Sequence, residues 1–101
     1  TYVANVVDGV LKACEAPAVA GRTINVATGG RVSLNDLYRV LRRLAGRGED
    51  PIYADPRAGD VKHSQADITL ARTLLGYEPT VSFEEGLGRT FAWYRSGDRD
   101  R

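Results

Sequence analysis

Asp55-Pro56-Arg57-Ala58-Gly59-Asp60-Val61-Lys62-His63-Ser64-Gln65-Ala66-Asp67 runs without a break into Ile68-Thr69-Leu70-Ala71-Arg72-Thr73-Leu74-Leu75-Gly76-Tyr77-Glu78-Pro79, and the rest of the chain is arranged around this run. Pro56 and Gly59 keep its first part out of any helix. A loop of this kind can reach a ligand. Arg57 carries a planar fork of donors that suits phosphate, and Asp60 can only accept, as a sugar hydroxyl requires. The plain alternative is that all of these side chains are solvated loop residues. After the loop, Asp67 is placed to N-cap a helix over residues 68–75 that Gly76 ends. Asp67 therefore has a structural role, and no ligand is assigned to it.

On the amino-terminal side, Val3, Val6, Val7, Val10, Leu11 and Cys14 recur at helical spacing, which predicts a helix over residues 5–15 with Asp8, Lys12 and Glu15 outside. Valine is a poor helix former, so packing must hold this helix. Pro17 helps to end it, and Thr23-Ile24-Asn25-Val26 reads as a short strand that stops at Ala27-Thr28-Gly29-Gly30. The glycine pair reads as a turn, because the further glycines and the lysine of a phosphate loop are missing. Ser33 with Asp36 opens a second helix in a capping-box arrangement. Leu34, Leu37, Tyr38, Leu41, Leu44 and Ala45 form its apolar face, and Gly46 stops it. Arg39, Arg42, Arg43 and Arg47 lie opposite, a basic face that a nucleic-acid backbone could use, although a solvated helix face explains it as well. Ile52-Tyr53-Ala54 is a second short strand leading into the loop. On the carboxy-terminal side, Ser82-Phe83-Glu84-Glu85 is a capping box for a last helix with Phe83, Leu87, Thr90, Phe91 and Tyr94 inward, and residues 96–101 form a charged tail expected to fray.

With 101 residues, a net charge of +1 and 43% hydrophobic residues, the chain fits one small domain or less. Charge this close to neutral gives no general electrostatic case for nucleic acid or membrane. The single Cys14 lies within the apolar helical pattern, so a buried, inert thiol in a reducing compartment is expected, and the cytoplasm is the default location. No metal site is visible: His63 is the only histidine and has no partner at ligand spacing.

The Arg57 to Pro79 run resembles the carboxy-terminal signature of nucleotide-sugar epimerases and dehydratases, which are extended short-chain dehydrogenase/reductases: an Arg-x-Gly-Asp loop, a segment ending Ala-Asp, and a helix ending Leu-Gly-Tyr-x-Pro. Thr1-Tyr2-Val3-Ala4-Asn5-Val6-Val7-Asp8 resembles the segment entering the substrate domain of that family, and Phe83-Glu84-Glu85-Gly86-Leu87 with Trp93-Tyr94 resembles its last helix. The fold class implied is α/β: a mostly helical small substrate-binding domain with short strands, residues 1–95, belonging to a Rossmann-type parent whose NAD-binding domain lies elsewhere. The strand at residues 23–26 would join the parallel sheet of that domain.

The family's catalyst needs NAD on a Gly-rich turn and a Tyr-x-x-x-Lys pair. None of Tyr2, Tyr38, Tyr53, Tyr77 or Tyr94 has a lysine four residues later, so no catalytic or cofactor-binding residue is assigned here. What the resemblance does imply is half of a substrate site. Arg57 would meet the diphosphate of a nucleotide sugar, Asp60 the nucleotide ribose, and Ser64 would shape the sugar pocket; Lys62 and His63 carry no such role and are expected in solvent. The implied parent is an NAD-dependent isomerase, a homodimer, acting on a UDP-hexose or UDP-N-acetylhexosamine by oxidising a hexose carbon and returning the hydride. Epimerase is favoured over dehydratase because Gly59-Asp60-Val61-Lys62-His63-Ser64 resembles the UDP-hexose 4-epimerase form of the loop. The rivals are a dehydratase of the same family and a non-catalytic interaction or nucleic-acid-binding domain using Arg39, Arg42 and Arg43.

Overall fold

The computed structural model describes residues 1–60 and 63–97. Lys62, expected in solvent, and residues 98–101, expected to fray, lie outside the described residues. Three α-helices, α1 (Val3–Glu15), α2 (Leu34–Ala45) and α3 (Phe83–Arg95), and a π-helical turn (Ala71–Leu75) are joined by long connections. In the chain's main contacts between elements, α1 lies on the π-turn and α2 lies on α3. Its radius of gyration is 16.5 Å, against about 13 Å for a compact domain of this length.

Local chemistry explains α2 well. Ser33 Oγ accepts from the Asp36 N–H at 3.0 Å while the Asp36 carboxylate accepts from the Ser33 N–H at 3.3 Å, the reciprocal capping box the sequence predicts. Gly46 ends the helix in the left-handed conformation with φ 68°. Of its expected apolar face Leu37, Tyr38, Leu41 and Leu44 are half-buried, Leu34 and Ala45 stand in solvent, and Val40, outside the expected set, is the buried residue. The last helix begins at Phe83 as expected. Only half of its capping box forms: Ser82 Oγ accepts from the Glu85 N–H, while the Glu85 carboxylate pairs with Arg89 one turn on. Tyr94, expected inward, is exposed and packs edge-on against Trp93.

The first helix is turned the opposite way from expectation. Val3, Val7, Val10 and Leu11 are 51–62% exposed, and Cys14, expected to be buried, is exposed too. Asn5 and Gly9 face inward instead. Close approach decides this orientation. A Cβ at Gly9 would stand 2.6 Å from Val26 Cγ1, so only a residue without one admits this contact. Asn5, 1% exposed, donates from Nδ2 to the Val81 carbonyl at 2.8 Å and accepts at Oδ1 from the N–H groups of Thr80 and Val81. A small and hydrogen-bonded stripe therefore fits the rest of the chain better than the valines do.

No strand forms among the described residues, which corrects the expectation of strands at residues 23–26 and 52–54. A strand requires a ladder partner, and neither segment has one alongside it. Ile24 and Val26 instead pack on a core of Ile68, Ala71, Leu75 and Tyr77. The helix expected over residues 68–75 forms, but widens to a π-turn. Gly76, at φ 64°, closes it, and the Tyr77 N–H donates to the Ala71 carbonyl at 3.2 Å. The extra residue brings Tyr77 into the core at 1% exposure, with its hydroxyl donating to the Ala27 carbonyl at 2.6 Å. Burial, then the charges of Asp8 and Glu78, push that hydroxyl above the ordinary phenol value. Among the described residues no helix is long and apolar enough to cross a membrane.

Candidate ligand loop

Arg57 to Asp60 form a tight turn. The Asp60 N–H donates to the Arg57 carbonyl at 3.1 Å, and Gly59, at φ 86°, holds the third position, where a positive φ calls for glycine. The Asp60 carboxylate returns the contact by accepting from the Arg57 N–H at 3.2 Å through Oδ2. The two residues are thus fastened backbone to side chain. A carboxylate has about four acceptor positions, so Asp60 keeps capacity for a ligand hydroxyl. The Arg57 side chain is exposed, as are His63 and Ser64. The structure joins Arg57 to Asp60 but brings no hydrogen bond between either and Ser64 among the described residues.

The segment after Ser64 is tied down. Gln65 Nε2 donates to the Gly29 carbonyl at 2.8 Å, and a cavity of about 340 Å³ is lined by Gly29, Gln65, Ala66, Asp67, Ile68 and Arg72. None of the three expected ligand residues lines it. Its cation, Arg72, is already held by Glu78 through three contacts of 2.9–3.2 Å. Asp67 accepts from the Thr69 hydroxyl at 2.6 Å and the Thr69 N–H at 2.9 Å; these bonds, the hydroxyl's first, hold its carboxyl below the ordinary value. Asp67 caps its helix, as the sequence reading had it. Gln65, which no motif flagged, is the residue that sequence reasoning missed.

The basic face of α2 is largely neutralised within the chain. Arg39 pairs with Asp36 at 2.9 Å, Arg42 with Asp50 at 2.9 Å, and Arg43 with Glu84 at 3.2 Å. Cations already facing carboxylates release few counterions from a polyanion. Among the described residues no cluster of three or more His, Cys, Asp or Glu side chains could hold a metal ion. The helix that follows the glycine turn at residues 29–30 begins at a terminus already occupied by Ser33 and by the Asp36 carboxylate, which repels a pyrophosphate.

No protein-family model matches the chain. It is 35% identical over 95 residues to the UDP-glucose 4-epimerase of Mycolicibacterium smegmatis, covering 94% of this chain and 30% of that protein. It is 34% identical over 94 residues to the UDP-glucuronate 4-epimerase of Thermodesulfobacterium geofontis, covering 92% of this chain and 28% of the relative. Among solved structures, the UDP-glucose 4-epimerase of Thermotoga maritima with UDP-glucose superposes with a TM-score of 0.88 at 37% identity, over 98% of this chain and 31% of that one. A mutant UDP-glucuronic acid 4-epimerase from Bacillus cereus, in complex with UDP-4-deoxy-4-fluoro-glucuronic acid and NAD, superposes with a TM-score of 0.85 at 29% identity, over 95% of this chain and 31% of that one. The chain spans about 30% of the length of these relatives.

Proposed function

Since this chain is a homologue of the UDP-sugar 4-epimerases along nearly its whole length, we propose that residues 1–95 form the nucleotide-sugar-binding portion of an NAD-dependent UDP-hexose 4-epimerase. The observation that carries this reading is the Arg57 to Asp60 turn, because it ties the Arg57 backbone to the Asp60 carboxylate and leaves the Arg57 side chain exposed on the same short loop. Arg57 grips the diphosphate with charge-assisted, two-pronged hydrogen bonds, and Asp60 accepts from the nucleotide ribose. Ser64 walls the sugar pocket and, being small, leaves room for an N-acetyl group on the sugar's second carbon.

NAD, which supplies and receives the hydride, is held by the parts of the parent that correspond to the unmatched length of the relatives. The parent is a cytoplasmic homodimer. Epimerisation is favoured over dehydration because the relatives named above are 4-epimerases, and the ion pairs of α2 argue against a nucleic-acid role.

The test is to supply the full gene product with NAD and UDP-galactose and to separate the sugars by chromatography. Conversion to UDP-glucose supports the proposal. Loss of water from the sugar would move the parent to the dehydratase reading, and no change in any UDP-hexose or UDP-N-acetylhexosamine would remove it from the enzymes.

A further inference from the structure

The described residues of the loop carrying Arg57 and Asp60 are exposed, yet the chain meets a fixed body a few residues later. Three side-chain to backbone hydrogen bonds join the segment after the loop to residues 25–29. Gln65 Nε2 donates to the Gly29 carbonyl at 2.8 Å, Asn25 Nδ2 to the Asp67 carbonyl at 3.4 Å, and the Tyr77 hydroxyl to the Ala27 carbonyl at 2.6 Å. Gln65 makes the bond nearest the ligand residues, five positions after Asp60 and next to Ser64.

The other end of that bond is well defined. Gly29 sits at φ 76°, and a Cβ there would stand 3.3 Å from Ile68 Cδ1. Ile68 is 2% exposed and belongs to the core. The Gly29 carbonyl is therefore set by a conformation that favours glycine and by a packed neighbour, so it serves as an anchor rather than as another mobile group. The Gln65 bond fastens the chain to that anchor five positions after Asp60, and this short chain length limits how far from it the Arg57 to Asp60 turn can lie. A ligand loop held in its bound position loses less freedom on binding, so the restriction appears as affinity.

We propose that Gln65 is a positioning residue for the nucleotide-sugar site, acting on the diphosphate through Arg57 by fastening the loop to the Gly29 carbonyl. This rests on the reading of the loop as that site. Gln65→Leu keeps much of the shape and removes the donor; Gln65→Glu keeps the shape more closely and sets a carboxylate oxygen against the carbonyl.

The experiment is calorimetric titration of the full gene product with UDP, in the wild type, in both Gln65 variants, in Arg57→Ala, and in Arg57→Ala with Gln65→Leu; thermal unfolding of each variant reports whether it folds. One lost neutral hydrogen bond at an exposed site corresponds to a loss of about threefold to fivefold in affinity for Gln65→Leu, and somewhat more for Gln65→Glu. Because part of the effect passes through Arg57, Gln65→Leu should cost clearly less affinity when Arg57 is already alanine than it does in the wild type. A Gln65 that only supports the fold would weaken UDP equally in both backgrounds, and that result overturns the proposal. So does an unchanged affinity in both Gln65 variants. A wild-type protein that binds no UDP overturns the ligand-loop reading itself, an outcome separate from the other two.

Discussion

Replacing Asn5 with alanine should be the most destabilising single change in the amino-terminal half. Asn5 is buried and makes three hydrogen bonds to the backbone of Thr80 and Val81 across 75 and 76 positions of sequence. Alanine strands the Val81 carbonyl and N–H, in a buried setting, and the Thr80 N–H, in a half-buried one. Each buried group left without a partner costs about 1–3 kcal/mol. Counting the two at Val81 in full and allowing water to reach Thr80, the loss is about 2–6 kcal/mol, a large part of the roughly 5–15 kcal/mol that holds a domain together. With a urea dependence of about 2 kcal/mol per molar, the unfolding midpoint should fall by about 1–3 M at unchanged slope. Asn5→Asp keeps the acceptor for both N–H groups and turns the donor into an oxygen facing the Val81 carbonyl, so it too should destabilise. The assay is urea unfolding followed by circular dichroism. A fall of less than about 0.3 M for Asn5→Ala, at the same slope, would refute the reasoning that these bonds orient α1.

Gly9→Ala should destabilise by about 1–3 kcal/mol through the clash with Val26, and Val26→Ala in the same molecule should recover part of that loss in the urea midpoint. Tyr77 has a hydroxyl raised above the ordinary value of about 10, so its contribution to stability is full below that pH and is lost as pH rises through the folded value. Tyr77→Phe should lower the thermal midpoint at neutral pH by removing the bond to Ala27, yet flatten the decline above pH of about 10; a wild-type midpoint that does not decline there would contradict it. Ser64→Tyr should abolish turnover of UDP-N-acetylhexosamines by the full gene product while sparing UDP-glucose and UDP-galactose, since added bulk acts against the larger ligand alone. Measured kcat/KM values that fall equally for both sugar classes, or for neither, would show that Ser64 is not the gate.

Much of the local structure was legible because it depends on neighbours in sequence. Ser33 and Asp36, Gly46, Gly76, Asp67 with Thr69, and Ser82 each act within a few residues, and all perform the capping or terminating roles their types suggest. The orientation of α1 was not legible. Helical spacing identifies the valine stripe but not what stands opposite it, and the choice was made by Gly9 admitting Val26 and by Asn5 meeting Val81 from the far end of the chain. The strands failed for a related reason: Thr23-Ile24-Asn25-Val26 has the composition of a strand, but pairing is a property of two segments, and the second is not beside it. In the candidate site, Arg57, Gly59 and Asp60 stood out by chemical type, and Gly59 takes the conformation its turn demands. Gln65 gave no signal, because a polar residue in a loop is unremarkable until its partner carbonyl is located.

The central claim, that this chain carries the diphosphate-binding half of a nucleotide-sugar site, is tested most directly by titrating the full gene product and its Arg57→Ala variant with UDP in a calorimeter, with Arg42→Ala as the control. Loss of a hydrogen-bonded charge on the diphosphate should weaken binding by about 1.5–3 kcal/mol in Arg57→Ala. Arg42 of α2, engaged with Asp50, should leave the affinity unchanged when replaced. Equal affinities for the wild type and Arg57→Ala would take Arg57 out of the site and contradict the account.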